Sequence, residues 1–176
     1  MTNEQRKLWE SEKHAVRRLR DGLGRPVDRE IVDTVAALRM IGIHTIASCG
    51  GHVDRLLGPY VMLASPEATT ARRRASESDD QAVKRRLLKK AAKLNAHELA
   101  TLLPYVERFY RGQDASRSRR LIVQGFGPMS YRLTTQAADL IAITPRSERH
   151  ALLDEQRQEL RDFTEFLKAE FFGASS

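Results

Sequence analysis

Between Val27 and Ala64 the apolar residues change period, and this change constrains the fold more than any other stretch of the chain. Ile31, Val35 and Leu38 recur at helical spacing, Asp28 stands where it can cap the free amides, and Val27 can staple onto Val32. Gly42 follows as a left-handed stop, so the pattern predicts a helix over about residues 29–41. Ile43-His44-Thr45-Ile46-Ala47 is short and β-branched, as a strand would be. Pro59-Tyr60-Val61-Met62-Leu63-Ala64 is apolar on both alternations, as expected for a strand buried on two faces. A helix that hands over to a strand pair implies an α+β architecture, and it presents the connecting Ser48-Cys49-Gly50-Gly51-His52 at a sheet end.

The flanking chain supplies the rest of such a fold. Residues 3–20 place Leu8, Trp9, Ala15, Val16 and Leu19 on a sparse amphipathic stripe, and Asp21-Gly22-Leu23-Gly24-Arg25-Pro26 breaks it. The expected organisation is an N-terminal helical arm over 1–24 and one α+β domain over 25–176. From Pro66 the chain turns polar, and Arg72 to Asp80 is charge-rich without core-facing periodicity. Leu87 to Phe109 then carries a helical apolar stripe, which Pro104 is expected to divide into two pieces. Leu121-Ile122-Val123-Gln124 and Tyr131-Arg132-Leu133-Thr134 read as strands of a hairpin turned by Gly125-Phe126-Gly127-Pro128. Thr144-Pro145 reads as a cap and first-turn proline for a long helix that ends at Gly173 and covers one sheet face. The predicted fold is thus a small antiparallel or mixed four-stranded sheet with flanking helices, in a single domain.

A length of 176 residues is enough for one hydrophobic core. The single cysteine removes any intrachain disulfide, the first twenty residues are too polar for a signal peptide, and no apolar run is long enough to span a membrane. The expected location is the cytoplasm, with no membrane partner. A formal net charge of +7 and a pI near 9.9 favour polyanionic or phosphate-bearing partners.

Within the connecting segment, Gly50 and Gly51 can adopt positive φ and line up successive amides as a concave anion site, with Ser48 beside them. A tight turn sets the His52 imidazole near the Cys49 thiol, which makes the two candidate catalytic residues, nucleophile and base. The alternative for Cys49 is a small buried core residue, and for Gly-Gly a plain turn. His44, Cys49, His52 and Asp54 match no zinc spacing, so no metal is expected and no cofactor is specified. Arg132, between Tyr131 and Leu133, points away from the core, either into a structural salt bridge or toward an anionic ligand group. Walker, dinucleotide and serine-hydrolase signatures are absent from the sequence.

The main basic cluster is Arg72, Arg73, Arg74, Lys84, Arg85, Arg86, Lys89, Lys90 and Lys93, joined by Arg117, Arg119 and Arg120 in a later loop. On a helix Arg85 stacks over Lys89 and Arg86 over Lys90, which is unfavourable unless solvent or a polyanion relieves the repulsion. A solvated helix face and a nucleic-acid contact both account for it.

Val27-Asp28-Arg29-Glu30, Gly42-Ile43-His44-Thr45, the Ser48 to His52 segment and Pro59-Tyr60-Val61 together resemble an uncharacterised group of prokaryotic and phage proteins with a Ser-Cys-Glu-Gly-His pattern. Tyr131-Arg132-Leu133 and Phe163 to Phe172 resemble its later landmarks, so the similarity covers nearly the whole chain. It implies no activity, and Gly50 stands here where the group has glutamate. A shorter similarity, over about five residues, is to the Ser-Cys-x-Gly-Arg stretch of wybutosine-pathway tRNA methyltransferases. Two functions are therefore expected from the sequence. The first is a cytoplasmic or phage-encoded protein whose Ser-Cys-Gly-Gly-His loop binds a small anionic or nucleotide-like ligand, with turnover as an option. The second is a noncatalytic accessory factor that binds nucleic acid or a host protein through residues 72–93.

Overall fold

The computed structural model describes residues 1–113, 116, 119–125 and 130–173. Of the turn expected at 125–128, residues 126–128 lie outside them, as does Arg117. Residues 27–64 fold as expected in outline: a 3-10 turn over Arg29–Ile31 runs into helix α2 (Val32–Met40), and Gly42 has φ +85°. Strand β1 (Thr45–Cys49) follows, and it carries Cys49 as its last residue rather than in the loop. Strand β2 (Tyr60–Leu63) returns antiparallel to it.

Strands β3 (Leu121–Gly125) and β4 (Tyr131–Thr135) complete a four-stranded antiparallel sheet of order β1-β2-β4-β3. Alternation along the strands separates two faces. Leu121, Leu133, Val61 and Leu63 pack into one hydrophobic cluster with Ile31, Val35 and Leu38, and with Leu160, Phe163 and Leu167 of helix α5 (Arg149–Gly173). The register puts Cys49, Tyr60, Thr134 and Ile122 in one row of the opposite face, with Met62, Arg132 and Gln124 in the next. Tyr60, Ile122, Gln124 and Arg132 are partly buried there, and Cys49, Met62 and Thr134 are buried. Helix α1 (Asn3–Arg18) buries Trp9 and Val16 in the same core as the rest of the chain. The fold is α+β, and among the described residues no helix is long and apolar enough to cross a membrane.

Two helices differ from expectation. Residues 66–76, read as a polar span, form helix α3 (Pro66–Ser76), capped by the Ser65 hydroxyl with Pro66 in the first turn. Its buried residues are alanines, Ala68, Ala71 and Ala75, which give little hydrophobic signal in a sequence. Helix α4 (Gln81–Tyr110) runs unbroken through Pro104. A proline inside a helix costs ~3 kcal/mol, and full burial of a large apolar side chain contributes ~1.5–3 kcal/mol. Leu102 and Phe109, one on each side of Pro104, are both buried in the main core and hold the helix through it. Thr144 does not cap α5; its hydroxyl donates back to the carbonyl of Leu140, closing a 3-10 turn over Ala138–Ala142, and α5 starts at Arg149.

Candidate functional site

The ten residues between β1 and β2 are drawn together by an antiparallel bridge in which His52 and Leu57 exchange both backbone hydrogen bonds, at 2.8 and 3.1 Å. Gly51 sits at φ +81°, and a methyl group there would lie 2.5 Å from Leu153 Cδ1 and 3.0 Å from the Pro59 nitrogen. Only glycine fits both the backbone angle and the space. From the helix side, Arg157 on α5 donates its Nε to the Gly50 carbonyl at 2.8 Å and a terminal nitrogen to the Gly51 carbonyl at 2.9 Å. Two carbonyls that the turn leaves without strand partners are thereby satisfied by one planar guanidinium.

Asp28 completes the site, and it does so by leaving the role its sequence position suggests. It precedes the 3-10 turn, but its side chain makes no capping bond. Instead Oδ2 accepts from the Gly50 amide at 2.9 Å and lies 3.2 Å from His52 Nε2. A lost cap costs ~1 kcal/mol, and a hydrogen bond to a charged acceptor contributes ~1.5–3 kcal/mol, so the exchange is favourable. Donor atoms of Asp28, Cys49 and His52 all lie within 4.8 Å of one another, the one such group of metal-ligating side chains among the described residues. Cys49 is buried, while Asp28 and His52 are partly open to solvent.

The Cys49 thiol accepts from the Gly51 amide at 3.4 Å. Burial pushes its pKa above the ordinary thiol value, and the negative charge of Asp28 adds to that, against the opposing effect of the Gly51 amide. A thiol held in its neutral form is a poor nucleophile. The two amides that the glycine pair was expected to turn toward an anion are both engaged, Gly50 with a carboxylate and Gly51 with sulfur. Glu30 also borders the site, its Oε2 3.3 Å from where a Gly50 Cβ would stand. The charges around the loop are thus mixed, with Asp28 and Glu30 set against Arg55 and Arg157, and the glycine amides are turned to a carboxylate and a thiol rather than outward.

Of the other expected residues, Ser48 pairs with Val61, whose side chain is in the core, and so belongs to the face opposite Cys49. There it lines a small cleft with Arg20, Asp21, Arg25 and Thr45. Arg132 lies on the Cys49 face: its guanidinium sits 5.7 Å from the centre of the Tyr60 ring, donates to Gln124 Oε1 at 2.9 Å and approaches Asp139 at 3.7 Å. Tyr60, which pairs directly with Cys49, therefore stands between the Asp28-Cys49-His52 group and Arg132. Burial raises the Tyr60 pKa, and the neighbouring Cys49 contributes in the same direction. His44, weighed as a metal ligand in the sequence, pairs with the buried Glu98 at 2.9 Å, and Asp54 is exposed.

The basic residues gather elsewhere. Helices α3 and α4 form a hairpin around Ala68, Ala71, Ala91 and Leu94. Arg72, Arg73 and Lys84 line a groove on one flank, and Arg74 and Lys90 line another. Arg85, Arg86, Lys89 and Lys90 are exposed. Among the described residues, the one ion pair these side chains make is Arg73 with Glu77, at 4.0 Å.

Sequence reasoning missed Asp28, Tyr60 and Arg157 as site residues. None carried a signal for this role: Asp28 reads as a helix cap, Tyr60 as a strand residue, and Arg157 as one more cation on an amphipathic helix. No protein-family model matches the chain, and neither a curated protein nor a solved structure matches it.

Proposed function

We propose that this chain binds a small nucleotide-like ligand on the sheet face that carries Cys49, Tyr60 and Arg132, next to the Ser-Cys-Gly-Gly-His turn. The observation that carries the reading is the partly buried Tyr60 ring, set between the Asp28-Cys49-His52 group and the Arg132 guanidinium. An aromatic face accepts a base at ~1–3 kcal/mol, and an arginine beside it suits an anionic substituent. Asp28 and His52 then meet the polar edge of the ligand as hydrogen-bond acceptor and donor. The role first considered for the glycine amides, which are both engaged inside the turn, passes to Arg132, whose guanidinium would exchange its contact with the exposed Asp139 for the ligand's anionic group. Cys49 serves as a wall of this site, because its neutral thiol is not an activated nucleophile.

Calorimetric titration with adenosine monophosphate, and with inorganic phosphate for comparison, tests the reading. The nucleotide is expected to bind more tightly than phosphate, and Tyr60→Ala and Arg132→Gln are each expected to weaken it by about tenfold, the equivalent of ~1.4 kcal/mol. Equal binding by wild type and both variants, or no binding of either compound, rules it out.

A second reading is favoured by the α3/α4 hairpin, where exposed like charges stack along α4 and Arg73 alone has a carboxylate partner among the described residues. Such a surface suits the phosphate backbone of a nucleic acid. Salt-sensitive binding to duplex DNA is the measurement that checks it.

A further inference from the structure

We infer that Asp28, Cys49 and His52 form a binding site for a divalent transition metal ion, with zinc as the best fit to the donor set, and with one coordination position left for a small ligand. The inference goes beyond the nucleotide reading and stands if that reading fails. It starts from convergence. A carboxylate, a thiol and an imidazole come from three separate places, the segment before the 3-10 turn, the end of β1 and the start of the turn, and their donor atoms meet within 4.8 Å. Zinc binds oxygen and nitrogen at ~2.0–2.2 Å and sulfur at ~2.3 Å, so tetrahedral donors stand about 3.5 Å apart. Side-chain rotation of roughly 1 Å at the partly open Asp28 and His52 closes the difference.

Around the donors, the structure already holds the kind of supporting contacts that orient metal ligands. The Gly50 amide fixes Asp28 Oδ2 at 2.9 Å, and the Gly51 amide points at Cys49 Sγ at 3.4 Å. Arg157 locks the carbonyls of the same two residues, Gly50 and Gly51, so the turn is braced from both sides. The His52-Leu57 bridge fixes the backbone that carries the imidazole. These contacts concentrate the Asp28 carboxylate beside a buried thiol, with Glu30 near, while the Arg157 guanidinium is held on the Gly50 and Gly51 carbonyls. A divalent ion offsets the negative charge gathered there. The sulfur-hydrogen bond gives way to a sulfur-metal bond, the proton leaves to solvent, and the charges of thiolate and carboxylate balance those of the ion. Thiolate with imidazole selects zinc or cobalt over magnesium and calcium, which prefer all-oxygen sites. Three protein donors with the fourth position open is the pattern of zinc sites that bind or activate a ligand rather than only brace a fold.

Cobalt makes the test spectroscopic. Untagged protein, stripped with chelator and dialysed, is titrated with Co²⁺ while thiolate-to-cobalt charge transfer and the visible bands of the ion are followed. Expected is one ion per chain, a charge-transfer band, visible bands of tetrahedral intensity, and displacement by Zn²⁺ but not by Mg²⁺. The charge-transfer band is lost in Cys49→Ser, and affinity falls at least about tenfold in Asp28→Asn and in His52→Ala. Asp54→Asn is expected to match wild type. Absence of the charge-transfer band in wild type overturns the proposal without recourse to any variant. A band that persists at unchanged affinity in both Asp28→Asn and His52→Ala, with far-ultraviolet dichroism confirming that each is folded, also overturns it, because the metal then sits on the cysteine alone. Metal binding without nucleotide binding leaves this inference standing and removes the ligand reading; nucleotide binding without metal binding does the reverse.

Discussion

The turn between β1 and β2 and the α3/α4 hairpin are both polar excursions from the core, and they are built on opposite principles. In the turn, side chains from distant parts of the chain satisfy individual backbone atoms: Asp28 the Gly50 amide, Arg157 the carbonyls of Gly50 and Gly51. In the hairpin, two helices meet over alanines, and long cations stand in solvent with few fixed partners. The first places a few groups to within hydrogen-bond geometry and tolerates little change. The second offers a charge density that does not depend on the position of any one residue. Recognition of a small ligand or ion needs the former, and adhesion to a polyanion needs only the latter.

The largest effect expected from this contrast follows Gly51→Ala. A left-handed φ costs a non-glycine residue ~1–2 kcal/mol, and forcing a methyl into packed atoms costs ~1–3 kcal/mol. At Gly51 both apply, against Leu153 and the Pro59 backbone. A loss of ~3 kcal/mol in urea unfolding is expected, with Gly112→Ala, where φ is +78° but nothing lies within 4 Å, losing only the conformational part. If the two variants lose equal stability, the turn is not tightly packed and the comparison fails.

Arg157→Met ranks next. It keeps most of the aliphatic stem and removes the two hydrogen bonds, leaving the Gly50 and Gly51 carbonyls without that donor. Loss of a buried partner costs ~1–3 kcal/mol, partly recovered here because Arg157 is 24% exposed and water can reach the site. About 1.5 kcal/mol is expected, together with faster amide exchange at His52 and Leu57. Unchanged exchange would mean that the His52-Leu57 bridge holds the turn by itself.

How much of this was legible in the sequence follows the same division. The helix before Gly42, the four strands and the long C-terminal helix all show in local residue pattern, the strands as short β-branched or apolar runs and the last helix as Leu153, Leu160, Phe163 and Leu167 at helical spacing. Helix α3 does not, since alanine spacing is faint, and the unbroken course of α4 does not, since Leu102 and Phe109 outweigh the local penalty of Pro104 only through tertiary packing. The turn was visible as a concentration of Cys, Gly and His. Its partners were not: Asp28 lies 22 residues before Gly50, and Arg157 lies 107 after it. Asp28 is instructive because the local rule, a capping aspartate, gives the wrong partner, and rules of that kind yield where a site claims the residue.

The smallest effect on stability, and the sharpest test of the contrast, comes from replacing Arg85, Arg86, Lys89 and Lys90 together by glutamine. All four are exposed on one helix. Exposed substitutions change stability by about 0.5 kcal/mol or less, and each relieved like-charge pair returns ~0.2–0.5 kcal/mol, so the unfolding midpoint should stay level or rise slightly. Binding should behave quite differently. If these cations follow a phosphate backbone, the slope of log affinity against log salt for a mixed-sequence DNA duplex falls by up to about 4, nearly one per cation removed. Cobalt binding at Asp28, Cys49 and His52 should be untouched by the same change, as the hairpin contributes no donor to that group. A variant that keeps the wild-type salt slope removes the hairpin as the polyanion surface. One that loses cobalt as well shows that the two regions are coupled, and the division between placed groups and diffuse charge would no longer describe this molecule.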